Sequence, residues 1–304
     1  DLSVKSFIDI NRATLKYDNV IIKKVIPKFD DKIKLNNHKI EIEYSKNLKL
    51  KGKGKIKINN DEDELVYNFK KHKNNSDYKF DISLNKIPFK FDLINFIKKS
   101  GERGSLKLNF NTSNKKIKID KILYVSKNLN FSGNNIVLNK NKSLQKFDKI
   151  DLDFINRDNF QNNLNIIRKK NNYYIKSSSF SLDNVVEKIL TGDDNKKLSL
   201  FDNKKRTFHF EINKASIDKE HNLLNLRGKF KMENNSISDL DLNSNFNQNK
   251  KVSISIKSSN NNKITTFYSD LAKPFVKKFK FIKGFEDGQI DFSSSKIGDI
   301  TNSN

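Results

Sequence analysis

Residues 48–58 read LKLKGKGKIKI, and the parity of the apolar positions in this stretch decides how the chain is read. Leu48, Leu50, Ile56 and Ile58 fall on even numbers, and Lys49, Lys51, Lys53, Lys55 and Lys57 fall between them. A period of two sorts the first set onto one face of a β-strand and the lysines onto the other; a helix would scatter both around its surface. The same parity returns in IEIEY (40–44), YKFDISL (78–84), SLKLNF (105–110), KIKID (116–120), KIDLDF (149–154), TFHFEI (207–212), LNLRGKFKM (224–232), SDLDL (238–242) and KVSISI (251–256). Asn-Asn, Asn-Lys, Ser-Asn and Asp-rich punctuation separates these runs every 8 to 12 residues or so, the spacing of an antiparallel meander.

Three segments break the rhythm. FDLINFIKK (91–99) places Leu93, Phe96 and Ile97 at helical spacing. SLDNVVEKIL (181–190) does so with Val185, Val186, Ile189 and Leu190, after Ser181 or Asp183 as a cap. KPFVKKFKFIKG (273–284) opens with Pro274 at a first helical position and carries Phe275, Val276 and Phe279 on one face before Gly284. These starts lie roughly 90 residues apart, which predicts a repeated unit of several strands and one short helix. The expected organisation is one continuous segment over 1–304, with units of roughly 1–100, 101–191 and 192–284 and the start of another at 285–304. Gly101, Gly104, Gly284 and Gly288 would form the turns at unit boundaries.

The bulk composition limits what such a chain does. Only 35% of the 304 residues are hydrophobic, enough for one apolar face per strand. That face must meet another sheet, helices or a ligand. Three short helices cannot cover well over a dozen strands, and no Pro/Gly/Ser-rich linker divides the chain into sandwich-sized domains. The sequence therefore predicts a mainly β protein with an elongated, twisted antiparallel sheet curled into a groove, plus a few short helices.

A formal charge of +24 invites a nucleic-acid reading. Against it, 54 Lys are dispersed along the whole chain and only 6 Arg, the better phosphate forks, accompany them. The expectation is a solvated basic face and no nucleic-acid partner. Absence of Cys excludes disulfides, thiol nucleophiles and Cys-ligated zinc. No apolar run approaches the roughly 18 residues that span a bilayer, and no signal-peptide pattern stands at the start. With Asp1 first and DITNSN last, the sequence reads as a piece of a longer protein.

The stretch FYSDLAKPFVKKFKFIKGFEDGQIDFSSS (267–295), with SSFSLDNVVEKIL about 90 residues before it, resembles the C-terminal region of the AsmA-like proteins, in particular the YhdP-like branch and the related TamB-like proteins. The matching positions are Ser269 and Asp270, the helix through Phe281, Gly284, Gly288, Ile290 and Phe292; the specific likeness covers roughly the last 130 residues. The resemblance implies a β-groove in the periplasm, held to the inner membrane by an anchor elsewhere in the full-length chain. There it would carry phospholipid toward the outer membrane, with partner proteins of the periplasm or outer membrane, and it would be no enzyme and use no cofactor. Such proteins look like bacterial counterparts of bridge-like lipid transfer proteins.

Elementary energetics agree with that implication. A 16-carbon acyl chain in water costs on the order of 12 kcal/mol at roughly 0.8 kcal/mol per CH₂, which a continuous apolar trough removes. About sixteen strands at roughly 4.8 Å would lay a trough of about 75 Å. Lysines on the outer face and rims would attract anionic head groups, at up to about 1 kcal/mol each. The lining expected from strand parity is Leu48, Leu50, Ile56, Ile58, Leu106, Leu108, Phe110, Phe208, Phe210, Ile212, Leu226, Phe230, Ile254, Ile256, Ile290 and Phe292. The alternative is an envelope scaffold whose apolar face is closed by protein.

No catalytic constellation stands out. His38, His72, His209 and His221 lack partners at ligand spacing and read as surface residues. DLDLNSN (239–245) lacks the glycine and final Glu of a calcium loop, so Asp239, Asp241, Asn243 and Asn245 read as a solvated face. DEDE (61–64) reads as an acidic turn. KGKGK and SGERGS are not phosphate loops, since no GxxxxGK[ST] is present.

Overall fold

The computed structural model describes residues 3–18, 20–113, 116–182, 204–233, 236–259, 262–279, 287–297 and 300–303. It is mainly β, and the contacts divide it into two units, Asp1–Phe160 and Gln161–Asn304.

The first unit is an antiparallel meander. It runs through β1 (Val4–Lys16), β2 (Lys32–Tyr44), β3 (Leu48–Ile58), β4 (Asp61–Lys71), β5 (Asn75–Ser83), β8 (Gly104–Ser113), β9 (Lys116–Ser126), β10 (Leu129–Asn139) and β12 (Lys149–Ile155). The short β11 (Leu144–Lys146) also pairs with β10. Directly opposed residues share a face, so the alternation read from the sequence becomes rows across the sheet. One row is Ile42, Leu50, Phe69, Tyr78, Phe110, Ile119 and Ile136. On the opposite face the equivalent row begins Glu41, Lys51, Asn68 and Lys79.

The second unit contains β13 (Gln161–Lys169), β14 (Asn172–Ser181), β15 (Arg206–Ser216), β16 (Asn222–Glu233), β17 (Ser236–Asn245), β18 (Lys251–Ser259), β19 (Asn262–Ser269), β20 (Ile290–Ile297) and β21 (Ile300–Ser303). Each pairs antiparallel with the next except β14 and β15, which are parallel. This parallel pair is an exception within a sheet that is, as expected, mostly antiparallel. The physical reason is chain length: a parallel return needs a dozen or more connecting residues, and 182–205 supplies them. The second expected helix, in SLDNVVEKIL, lies outside the described residues from 183 to its end at 190.

Asn recurs where strands turn or bulge. Seven of the eleven non-glycine residues with positive φ among the described ones are Asn, including Asn59, Asn95, Asn135 and Asn225. Asn tolerates the left-handed region better than most side chains because its amide bonds locally.

The first expected helix is not one. FDLINFIKK forms β6 (Phe89–Phe91), a single 3₁₀ turn at Asp92–Ile94, and β7 (Phe96–Lys98), with Asn95 at φ 50° closing the hairpin. Phe91 opposes Phe96 and Phe89 opposes Lys98, so period two wins over the coincidental helical spacing. A helix that alternation did not foresee, α1 (Val20–Val25), follows β1 and lies by β6. The third expected helix is present as α2 (Lys273–Phe279), with Pro274 in its first turn. Gly284 lies outside the described residues.

Candidate functional site

The first unit's apolar face has a covered part and an open part. The cover is the β6–β7 hairpin, inserted between β5 and β8. Its Phe89 meets Tyr124 edge-on at 5.2 Å, and its Phe96 meets Phe154 edge-on at 6.4 Å. Beneath it Leu65, Tyr124, Leu129 and Phe154 are 6, 4, 2 and 1% exposed, the values of a finished core.

Two charged side chains fix this plug. The Asp63 carboxylate accepts the backbone N–H groups of Asn85, Lys86 and Ile87 at 2.8–3.0 Å. The fully buried Lys98 ammonium donates to the carbonyls of Asn85, Ile87 and Lys99 at 3.1–3.3 Å. Burial pushes the Lys98 pKa below 10.5, against the pull of Asp63, Glu102 and Asp61. The DEDE segment is therefore no turn. It opens β4, and its third residue is a buried anchor.

Away from the plug, Ile42, Leu50, Phe69, Tyr78, Phe110, Ile119 and Ile136 all remain half-buried. At the centre of this row the rings of Phe69, Tyr78 and Phe110 follow one another across β4, β5 and β8, with centroids 5.1 and 4.6 Å apart. The neighbouring row runs Ile40, Gly52, Tyr67, Phe80, Leu108 and Ile122. Gly52 is required there because the Tyr67 ring occupies the space a Cβ would take. Gly54 likewise lies under His38, which is 1% exposed and whose Nε2 bonds the Lys55 carbonyl at 3.0 Å. His38 thus packs inside this face and is not a surface residue. The result is a trough floor of aliphatic and aromatic groups on seven adjacent strands, closed at one part by the hairpin and open along the rest.

In the second unit, Tyr173, Phe208, Leu240 and Ile256 are 2, 5, 5 and 8% exposed, with Tyr173, Phe208 and Phe230 stacked at 5.0 and 4.6 Å. A parallel row, Phe210, Leu242, Ile254 and Phe267, stays half-buried. The Ser269-Asp270 step connects β19 to α2. Ser269 Oγ donates to the Leu271 carbonyl at 2.7 Å. Asp270 accepts the Tyr268 hydroxyl at 2.6 Å and the Lys251 backbone N–H at 2.5 Å, and these two bonds lower its pKa. Phe275 of α2 then packs edge-on against Phe267 at 4.7 Å and beside Phe246 at 6.1 Å. The backbone N–H of Ala272 bonds the Gly288 carbonyl at 2.9 Å, and Gly288, at φ 118°, leads into β20.

Of the sixteen residues expected to line a groove, Leu48, Leu50, Ile56, Leu106, Leu108, Phe110, Phe210, Phe230, Ile254 and Ile290 are half-buried and Phe292 is exposed. Ile58, Phe208, Ile212, Leu226 and Ile256 are core. Strand parity missed the aromatic floor at Phe69, Tyr78 and Phe80, although VYNFKK and YKFD carry the same alternation. Gly101, at φ 87°, sits in the turn after β7, and Gly104 begins β8 beneath the Tyr124 hydroxyl.

Among the described residues no group of three or more His, Asp or Glu could hold a metal ion, and no helix is long and apolar enough to cross a membrane. His72 bonds Asp77 at 2.9 Å, His221 bonds Asp218 at 2.9 Å, and His209 stacks on Tyr174. Asp239 pairs with Lys231 at 3.1 Å and Lys257 at 3.2 Å across β16, β17 and β18, as a solvated face would. Compared with protein-family models, curated proteins and solved structures, the chain matches none.

Proposed function

We propose that this chain is a non-enzymatic lipid-handling protein whose open apolar sheet rows hold phospholipid acyl chains, within a periplasmic, inner-membrane-anchored protein of AsmA-like type. The observation that carries the proposal is the row from Ile42 to Ile136. Seven strands in succession present an apolar side chain on one face, and every one is left half-exposed. Each 100 Å² of such surface covered by an acyl chain is worth about 2.5 kcal/mol. Apart from Asp63 and Lys98, which anchor the plug, the lysines and acids beside this row sit on the other face, so the ligand that suits the trough is apolar and elongated. The likeness of 267–295 to AsmA-like sequences supplies the phospholipid, the envelope location and the transfer between membranes; the half-exposed row supports a ligand of that shape.

A second reading has its own observation. Tyr173, Phe208, Leu240 and Ile256 of one row are buried, as the core of an envelope scaffold would be. Replacing Phe110 and Ile254 with Asp separates the two. Both are half-buried, so the fold survives, and under the lipid-handling reading bound phospholipid is lost. A folded double variant that keeps its lipid rules out the proposed lining. Ile256 is unsuitable for this test because it is core.

A further inference from the structure

The face opposite the trough carries its own pattern. On β3, β5, β9 and β12 the residues in one register row are Lys51, Lys79, Lys121 and Lys149, and the intervening strands place Asn68, Asn109 and Asn134 between them. Lysines two strands apart stand about 10 Å from one another, so the row spans about 29 Å. The adjacent row contributes Lys53 and Lys107.

Elsewhere on this face lysines are neutralised by acids: Lys5 by Glu41 at 2.7 Å, Lys49 by Glu43 at 2.8 Å and Lys149 by Asp151 at 3.0 Å. At its centre the balance fails. Among the described residues no acid lies within 4 Å of Lys53, Lys79 or Lys121, and Lys107 has only a long pairing to Asp81 at 3.6 Å. Lys79, Lys107 and Lys121, outnumbering the single acid Asp81, line a depression of about 350 Å³ together with Asn68, Asn109, Val66, Phe80 and Leu123. Val66 is 47% exposed in the midst of these charges.

We propose that this lysine face of the first unit docks on an anionic phospholipid bilayer, with Lys79, Lys107 and Lys121 at the centre of the contact. Charge complementarity sets the sign of the partner, and the breadth of the row, across seven strands, calls for a surface rather than one small anion. Apolar Val66 among the lysines suits the interfacial region of a bilayer better than a hydrated polyanion. The proposal concerns the face opposite the trough and holds or fails independently of acyl-chain binding there.

The test is cosedimentation with phosphatidylcholine vesicles containing or lacking phosphatidylglycerol. The unaltered chain binds only the anionic vesicles, and added salt releases it, because exposed charges are screened within about 10 Å at 0.1 M. Each lysine near the surface contributes roughly a fivefold factor, so the triple variant K79Q/K107Q/K121Q loses about a hundredfold in affinity. K140Q/K214Q/K219Q, of equal charge, stays within a few fold. Strand circular dichroism and copurified lipid remain unchanged in both, which separates this outcome from failure of the trough. Equal losses in the two triple variants, binding to neutral vesicles, or tighter binding to a short DNA duplex than to anionic vesicles overturns the proposal.

Discussion

The same alternation of apolar and polar residues is put to different use in two rows of the molecule. In the first unit, the row through Leu50, Phe69, Tyr78 and Phe110 is left half-buried. In the second, Tyr173, Phe208, Leu240 and Ile256 are no more than 8% exposed, and of that row's ring and aliphatic positions only Phe230, between Phe208 and Leu240, is half-buried. A buried row is a core and contributes to folding wherever it lies. A half-exposed row retains part of the cost of apolar hydration until something else covers it. Parity assigns a residue to a face; the chain that does or does not pack on that face decides whether it is core or contact surface.

The sharpest way to break this contrast is to charge each row. Ile256→Asp puts a carboxylate into a finished core and is expected to cost about 4 kcal/mol or more, read as lost strand dichroism or a much lower urea midpoint. Phe110→Asp in the open row should cost less, about 1–2 kcal/mol, because solvent reaches the carboxylate and the loss is mainly the stacking on Tyr78 and Phe80. Comparable losses at both positions would mean that the first row is a core too.

Next in size is Asp63→Ala, which strands three backbone N–H groups of the plug connection. It should lower local stability by about 2–4 kcal/mol and speed hydrogen exchange at Asn85 to Phe96 ahead of the surrounding strands. Uniform exchange across the first unit would show that the hairpin is no separate cover. Gly54→Val drives a side chain into His38, whose Cα lies 2.8 Å from an ideal Cβ, for an expected cost of about 1–3 kcal/mol in a urea titration.

The smallest effect comes from Lys98. Its folded pKa is lowered below 10.5 by burial, so between the two pKa values the unfolded chain binds more protons than the folded one. The Lys98 contribution to stability therefore rises with pH through that alkaline window, and it is read as wild type minus Lys98→Met, because Tyr67 and Tyr124, whose pKa values burial raises, contribute an opposing slope to both proteins. A difference that falls with pH would contradict the assigned burial.

Most strands were legible because their parity is clean: LKLKGKGKIKI is β3 from its first residue to its last, and KPFVKKF is α2. FDLINFIKK misled because Leu93, Phe96 and Ile97 fit a helix while Phe89, Phe91 and Phe96 fit a hairpin, and the left-handed Asn95 settles it. VIIKKV, six residues with its two lysines adjacent, is too short for either period to show. The parallel pairing of β14 and β15 has no local signature, since it depends on where the chain returns after 182–205. Exposure was illegible for the same reason: Ile254 and Ile256 share a strand and a face, yet Ile256 is core and Ile254 half-buried.

If the open rows hold lipid, it travels with the chain, and mass spectrometry of the protein purified from a bacterial periplasm without harsh detergent would detect it. Phospholipid is expected in stoichiometric amount, lost from the folded Phe110→Asp/Ile254→Asp variant. A folded, monodisperse and lipid-free wild-type chain would contradict the lipid-handling reading.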